Sequence, residues 1–129
     1  MTLNLAVAQR NAQLTAYGAL FNSGTIVLYS GSVPASADTA LSGQTVLATL
    51  PFGSSAFGTA SAGSMAANAI TQQNAVASGT ASFYRCFKSD ATTVIEQGAI
   101  GTSGAELNLN TTSIVSGGPV QITSFTRSM

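Results

Sequence analysis

Two hydrophobic periods divide the chain. Leu3, Val7, Leu14, Tyr17 and Phe21 recur at steps of four, seven, three and four, the spacing of one face of a helix over residues 3–21. Thr2 can cap its start. Asn22-Ser23-Gly24 can close its end, because glycine adopts the left-handed conformation without a Cβ penalty. Gly18 costs such a helix about 1 kcal/mol relative to alanine, and a helix this polar is marginal when isolated. It must therefore dock, and two surfaces qualify: the chain's own sheet, or another subunit.

After Gly24 the pattern becomes short β-type runs separated by Gly, Pro, Ser and Asn. Residues 25–29 form the first, closed by a turn at 30–34, and residues 45–50 the second, stopped by Pro51. The stretch 52–67 carries Phe52 and Phe57 among Ala, Ser and Gly and reads as a surface loop pinned by its two rings. Residues 69–72 are a weak strand candidate. Residues 75–88 are a better one, with Phe83, Tyr84, Cys86 and Phe87 apolar on both faces, as in a central strand. Runs at 93–100, 105–109 and 120–126 complete about seven strands. The expected fold is mainly β: an antiparallel β-sandwich or barrel, jelly-roll-like, with one N-terminal α-helix. Its 129 residues make a single domain, with a helix at 3–21 and a β-rich body at 24–129.

Composition narrows the function. Only 6% of residues are charged, against roughly 25% in ordinary soluble domains. Four Lys and Arg balance four Asp and Glu with no run of either sign, which argues against binding nucleic acid. A neutral surface gives little colloidal repulsion and favours life inside an assembly. No stretch approaches the ~18 apolar residues of a membrane span. With no Lys or Arg ahead of the first apolar residues, and Arg10 interrupting them, no signal peptide is expected.

The chain has no histidine, so imidazole-based catalysis and the common imidazole-based zinc sites are excluded. Glu96 and Glu106 fall in neighbouring expected strands, where a pair for glycoside cleavage would sit, but solvated or salt-linked glutamates are the commoner arrangement. Asp90 lies in a turn without the acidic spacing of a calcium loop. Gly101 and Gly104 lack the Lys-Ser/Thr of a phosphate loop, and Asn110 carries a glycosylation pattern without a secretory context. No catalytic, cofactor or metal residue is assigned. Cys86, the one cysteine, reads as a buried inert thiol. Arg85 lies among aromatic residues in a strand, and Glu96 on the next expected strand is its candidate partner in a structural ion pair.

One resemblance adds to this. The segment Gly79-Thr80-Ala81-Ser82-Phe83-Tyr84-Arg85, then Asp90-Ala91-Thr92-Thr93-Val94-Ile95-Glu96-Gln97-Gly98, resembles a family of small bacteriophage and prophage virion structural proteins. So do Gly101-Thr102-Ser103-Gly104-Ala105-Glu106-Leu107-Asn108-Leu109-Asn110, Ile114, and Val120-Gln121-Ile122-Thr123-Ser124-Phe125-Thr126. Leu28-Tyr29-Ser30-Gly31-Ser32-Val33-Pro34-Ala35 is similar more loosely; the resemblance also takes in the helical start and the stretch Leu50-Pro51-Phe52-Gly53-Ser54-Ser55-Ala56-Phe57, while Cys86-Phe87-Lys88 departs from the pattern. The resemblance implies a capsid decoration, or cement, protein without catalysis. It would be made in the host bacterial cytoplasm and carried on the head surface of the virion. Its implied partners are the major capsid protein and itself, as a homo-oligomer, a trimer suiting local threefold points. On that reading the helical stripe Leu3, Val7, Leu14, Tyr17 and Phe21, with Phe52 and Phe57, supplies the candidate interface. Two alternatives remain open: a tail component (tube, adaptor or fibre subunit), and a receptor- or glycan-binding module stacking sugars on Tyr29, Phe52, Phe57 and Tyr84.

Overall fold

A computed structural model of the chain describes residues 6–128. Helix α1 spans Val7–Ala19, and Ala6 stands at its N-cap in extended conformation with no side-chain cap. The expected start at Leu3 and the cap at Thr2 lie outside the described residues. The helix buries Leu14 and Gly18, and Phe21 just beyond it is fully buried. Gly18 repays its helix-weakening cost by allowing close approach: a Cβ there would sit 3.3 Å from the Met65 sulfur and 3.4 Å from the Phe57 ring.

Eleven strands follow among the described residues. They are β1 (Thr25–Ser30), β2 (Thr45–Pro51), β3 (Ser64–Ala66), β4 (Gln73–Asn74), β5 (Gly79–Thr80) and β6 (Phe83–Phe87). Then come β7 (Val94–Gly101), β8 (Leu107–Leu109), β9 (Ser113–Ile114), β10 (Pro119–Val120) and β11 (Ile122–Ser128). Seven form one sheet in the order β2-β1-β6-β7-β8-β11-β3, while β10-β4 and β5-β9 are separate two-stranded ribbons. The protein is thus mainly β with one helix, as expected from the period switch. Two details differ from expectation. No sheet closes into a barrel, and the large sheet is mixed, because β7 and β8 run parallel through Ile100↔Leu107 and Gly101↔Asn108. The connection 102–106 loops back through Gly104 at φ +72°, and Asn108 fastens it by accepting from the Ala105 N–H and donating to the Ala105 carbonyl.

The long strand expected over 75–88 is broken where the chain changes partners. The Ala81 N–H donates to Thr112 and the Ser82 N–H to Tyr29, so β5 pairs with β9 and β6 with β1. The stretch 52–67 is more ordered than a loop. Ser61 and Ser64 exchange backbone hydrogen bonds across Ala62 (φ +52°) and Gly63 (φ +74°), a two-residue turn with both central residues left-handed, and it launches β3. Residues 69–72 form no strand.

Both edges of the large sheet are blunted. On β2 the Val76 N–H caps the Leu47 carbonyl and Pro51 offers no donor, while on β3 the Gly58 N–H caps the Ala66 carbonyl. The main core lies under α1, where Phe21 meets Tyr17, Phe52, Phe57 and Phe125 edge-on, with ring centroids 5.1 to 6.3 Å apart. On the opposite face a smaller cluster of Val27, Tyr29 and Phe83, with Tyr29 and Phe83 stacked at 4.9 Å, lies on the side where the connection 31–44 is fastened.

Candidate functional site

The densest concentration of polar chemistry sits between α1 and the core face of the sheet. Strand register sets it up: Glu96 of β7 lies opposite Cys86 and Gly98 opposite Tyr84, so Glu96 and Tyr84 share one face. On β11, Phe125 and Arg127 are two residues apart and share that face as well. The Glu96 carboxylate then accepts four hydrogen bonds. Tyr17 Oη (2.6 Å) and Arg127 Nε (2.9 Å) donate to Oε1, while Tyr84 Oη (2.5 Å) and Arg127 Nη2 donate to Oε2. Arg127 also donates to the Tyr84 hydroxyl oxygen, and its guanidinium lies 4.3 Å over the Phe125 ring.

Gly98 makes this arrangement sterically possible. A Cβ there would come within 2.6 Å of the Tyr84 hydroxyl, so only glycine lets the phenol cross β7 toward Glu96. Burial pushes the Tyr84 hydroxyl above the ordinary tyrosine range, with Arg127 opposing, and raises Tyr17 for the same reason. The Cys86 thiol, fully buried, is pushed well above its usual value by desolvation and is a poor nucleophile.

Arg85 is not the partner of Glu96. Its register partner is Gln97, one residue further along β7 and therefore on the opposite face. The ion pair of Glu96 is with Arg127, both side chains about nine-tenths buried at 13% and 14% exposure. Arg85, buried at 4% exposure, donates from Nε to Gln97 Oε1 (2.9 Å) and from Nη2 to the carbonyls of Thr39 (2.6 Å) and Ser36 (3.3 Å). Gln97 in turn donates to the Pro34 carbonyl at 3.0 Å. The two side chains pin the connection 31–44 onto the second face.

Glu106 is exposed on the segment before β8 and lines one open groove of about 390 Å³ with Glu96, Gln97, Arg127 and Ser128. The structure thus brings the two glutamates to a common groove. It also fills the roughly four lone-pair positions of Glu96, which leaves none for a water or a glycosidic oxygen. Among the described residues no group of three or more His, Cys, Asp or Glu could hold a metal ion, and no helix is long and apolar enough to cross a membrane.

The candidate interface is mostly interior. Leu14, Phe21, Phe52 and Phe57 belong to the main core, and Tyr17 packs on that core while its hydroxyl reaches Glu96. The stripe that suggested a docking helix is satisfied by the chain's own sheet. Val7 is exposed, and Leu3 lies outside the described residues. The rings proposed as a sugar platform are buried too, Tyr29 at 4%, Phe52 at 5%, Phe57 at 9% and Tyr84 at 0% exposure. Arg127 was the member missed, while Tyr17, expected as an apolar interface position, contributes its hydroxyl to Glu96. The expected last strand stopped at 126, two residues short of the observed end at Ser128, although the i, i+2 spacing of Arg127 from Phe125 would have put it on the core face. Compared with known protein families, curated proteins and solved structures, the chain matches none.

Proposed function

We propose that this protein is a non-enzymatic structural subunit of a bacteriophage particle. Its best-supported station is that of a capsid decoration protein, bound outside the head shell and stabilising it by contacts with the major capsid protein and with its own copies. The observation that supports this reading is how the polar chemistry is spent. Glu96, Arg127 and Arg85 are each consumed in holding elements of the fold together, and Asp90 is consumed within its own turn. What such a chain offers outward is mainly uncharged polar and small apolar surface, suited to packing in an assembly. Burial of the four candidate rings removes the stacking platform on which the glycan-binding alternative depended.

The test is to mix purified protein with expanded heads of the phage that encodes it and image them by electron microscopy. Ordered added density on the shell is the expected result. Absence from heads together with incorporation into tails would move the assignment to a tail component, and absence from both would overturn the virion role.

A further inference from the structure

We infer that the connection 31–44 is a hinged strap, which swings off the second face of the sheet as a unit and uncovers Arg85 while the strands beneath stay paired. Its two ends are held together by the sheet itself, since Ser30 of β1 lies opposite Thr45 of β2. A loop closed in this way can move without disturbing the strands it connects. A glycine in the left-handed half of backbone space stands near each end, Gly31 at φ +105° and Gly43 at φ +79°. The segment also keeps bonds of its own. Gln44 ties its two arms, accepting from the Ser42 N–H (2.5 Å) and donating to the Ser32 carbonyl (2.7 Å), and the Thr39 N–H donates to the Ser36 carbonyl at 3.1 Å.

The strap has no apolar anchor. No residue of 31–44 is buried, and its large apolar side chains, Val33 and Leu41, face solvent at 58% and 38% exposure. It is fastened by side-chain donors of the strands beneath: Arg85 to the carbonyls of Ser36 and Thr39, Gln97 to that of Pro34, and Ser82 Oγ to that of Gly31 at 2.9 Å. Opening therefore gives up no buried side chain of the strap and hands each carbonyl to water. It also returns a buried guanidinium to hydration, which offsets the bonds lost. Such an opening costs far less than unfolding the sheet, where the fully buried side chains of β1 and β6 would have to be exposed.

Two neighbours on β6 provide the test. Arg85 lies under the strap at 4% exposure, and Cys86, on the opposite face, lies in the main core at 0%. The full chain is labelled with phenylglyoxal at arginine and with N-ethylmaleimide at Cys86, and each rate is read by mass spectrometry against that of the unfolded chain. Arg85 should be protected, but at least about tenfold less than Cys86, and its rate should rise less steeply with urea. At Gly43 a Cβ meets nothing within 4 Å, so Gly43→Ala acts only by disfavouring the left-handed backbone of the closed strap. It should speed Arg85 labelling about fivefold or more and leave Cys86 unchanged. Gly104→Ala places a Cβ in equally open space at φ +72° in the 102–106 connection, and should leave Arg85 unchanged. Equal protection of Arg85 and Cys86 with the same urea dependence would overturn the inference, and so would Arg85 labelled as fast as in the unfolded chain. An Arg85 rate unmoved by Gly43→Ala, or raised as much by Gly104→Ala, would overturn it too. The wild-type comparison stands whether or not either variant folds.

Discussion

Arg85, buried, and Arg127, largely buried, lie on opposite faces of the same sheet, and their charge is handled in opposite ways. Arg127 meets the Glu96 carboxylate and the Tyr84 phenol on the core face, whereas Arg85 meets Gln97 and two backbone carbonyls on the other. A full opposite charge binds strongly but makes each partner dependent on the other, because either one left alone is an uncompensated buried ion. Carbonyl dipoles bind more weakly, and they belong to a connection that can turn to water if the arginine is lost. The first arrangement joins α1, β6, β7 and β11 into one unit. The second fastens a single connection.

The sharpest way to break that contrast is to remove Arg127. Arg127→Leu leaves Glu96 nine-tenths buried without its cation and should cost about 3 kcal/mol of global stability by urea unfolding. Combining it with Glu96→Gln should cost less than the two single changes added, by more than about 1 kcal/mol, as contacting charges require. Additive costs would mean that the pair is not coupled and that Arg127 works only by covering Phe125.

Arg85→Met keeps most of the apolar stem and deletes the three hydrogen bonds. The expected cost is smaller, about 1 to 2 kcal/mol. Its location matters more than its size. Hydrogen exchange should accelerate in residues 31–44 while amides of β1, β6 and β7 keep their protection. Loss of protection across the whole sheet would show that the second face is as integral to the fold as the first, and the comparison would fail.

The period switch near Gly24, the first two strands and the β6–β7 hairpin were legible because each has strong local signals: helical spacing, β-branched runs, Pro51 and the Ser89-Asp90 turn. What was not legible depended on register. Arg85 and Glu96 are on neighbouring strands, so pairing them was reasonable. A bulge between Cys86 and Phe87 shifts the register, and Arg85 falls opposite Gln97. With a side-chain period of two, that single position decides which face a charge occupies. Strand β3 was hidden because its turn uses Ala62 at φ +52° where Asn or Gly would have announced it. The parallel step from β7 to β8 has no local signature, since it rests on a loop closed by Asn108 rather than on a turn motif. The candidate interface was misplaced for a further reason. An apolar stripe reports that a helix must be covered, and periodicity alone does not say by what.

The smallest expected effect extends the contrast to the surface, where Asp90 mirrors Arg85 with donors in place of acceptors. Its Oδ1 accepts from the N–H groups of Thr92 and Thr93, both at 2.9 Å, and its Oδ2 from Thr93 Oγ1 at 2.5 Å. These bonds favour the ionised form and hold the carboxyl at about 2, below the usual aspartate range, the Thr93 side-chain bond contributing most. A lowered value in the folded state contributes stability that is present above the unfolded aspartate pKa, about 3.9, and is lost as pH falls toward 2. Between pH 5 and 2 the wild type should therefore lose stability more steeply than Asp90→Asn, which keeps an acceptor oxygen but cannot titrate. Because Asp90 is fully exposed, the difference should be small and confined to that window. Thermal unfolding of both proteins across the window measures it. Parallel curves would mean that backbone groups anchor a charge only where water is excluded, as they do for Arg85, and that the turn holds without help from Asp90.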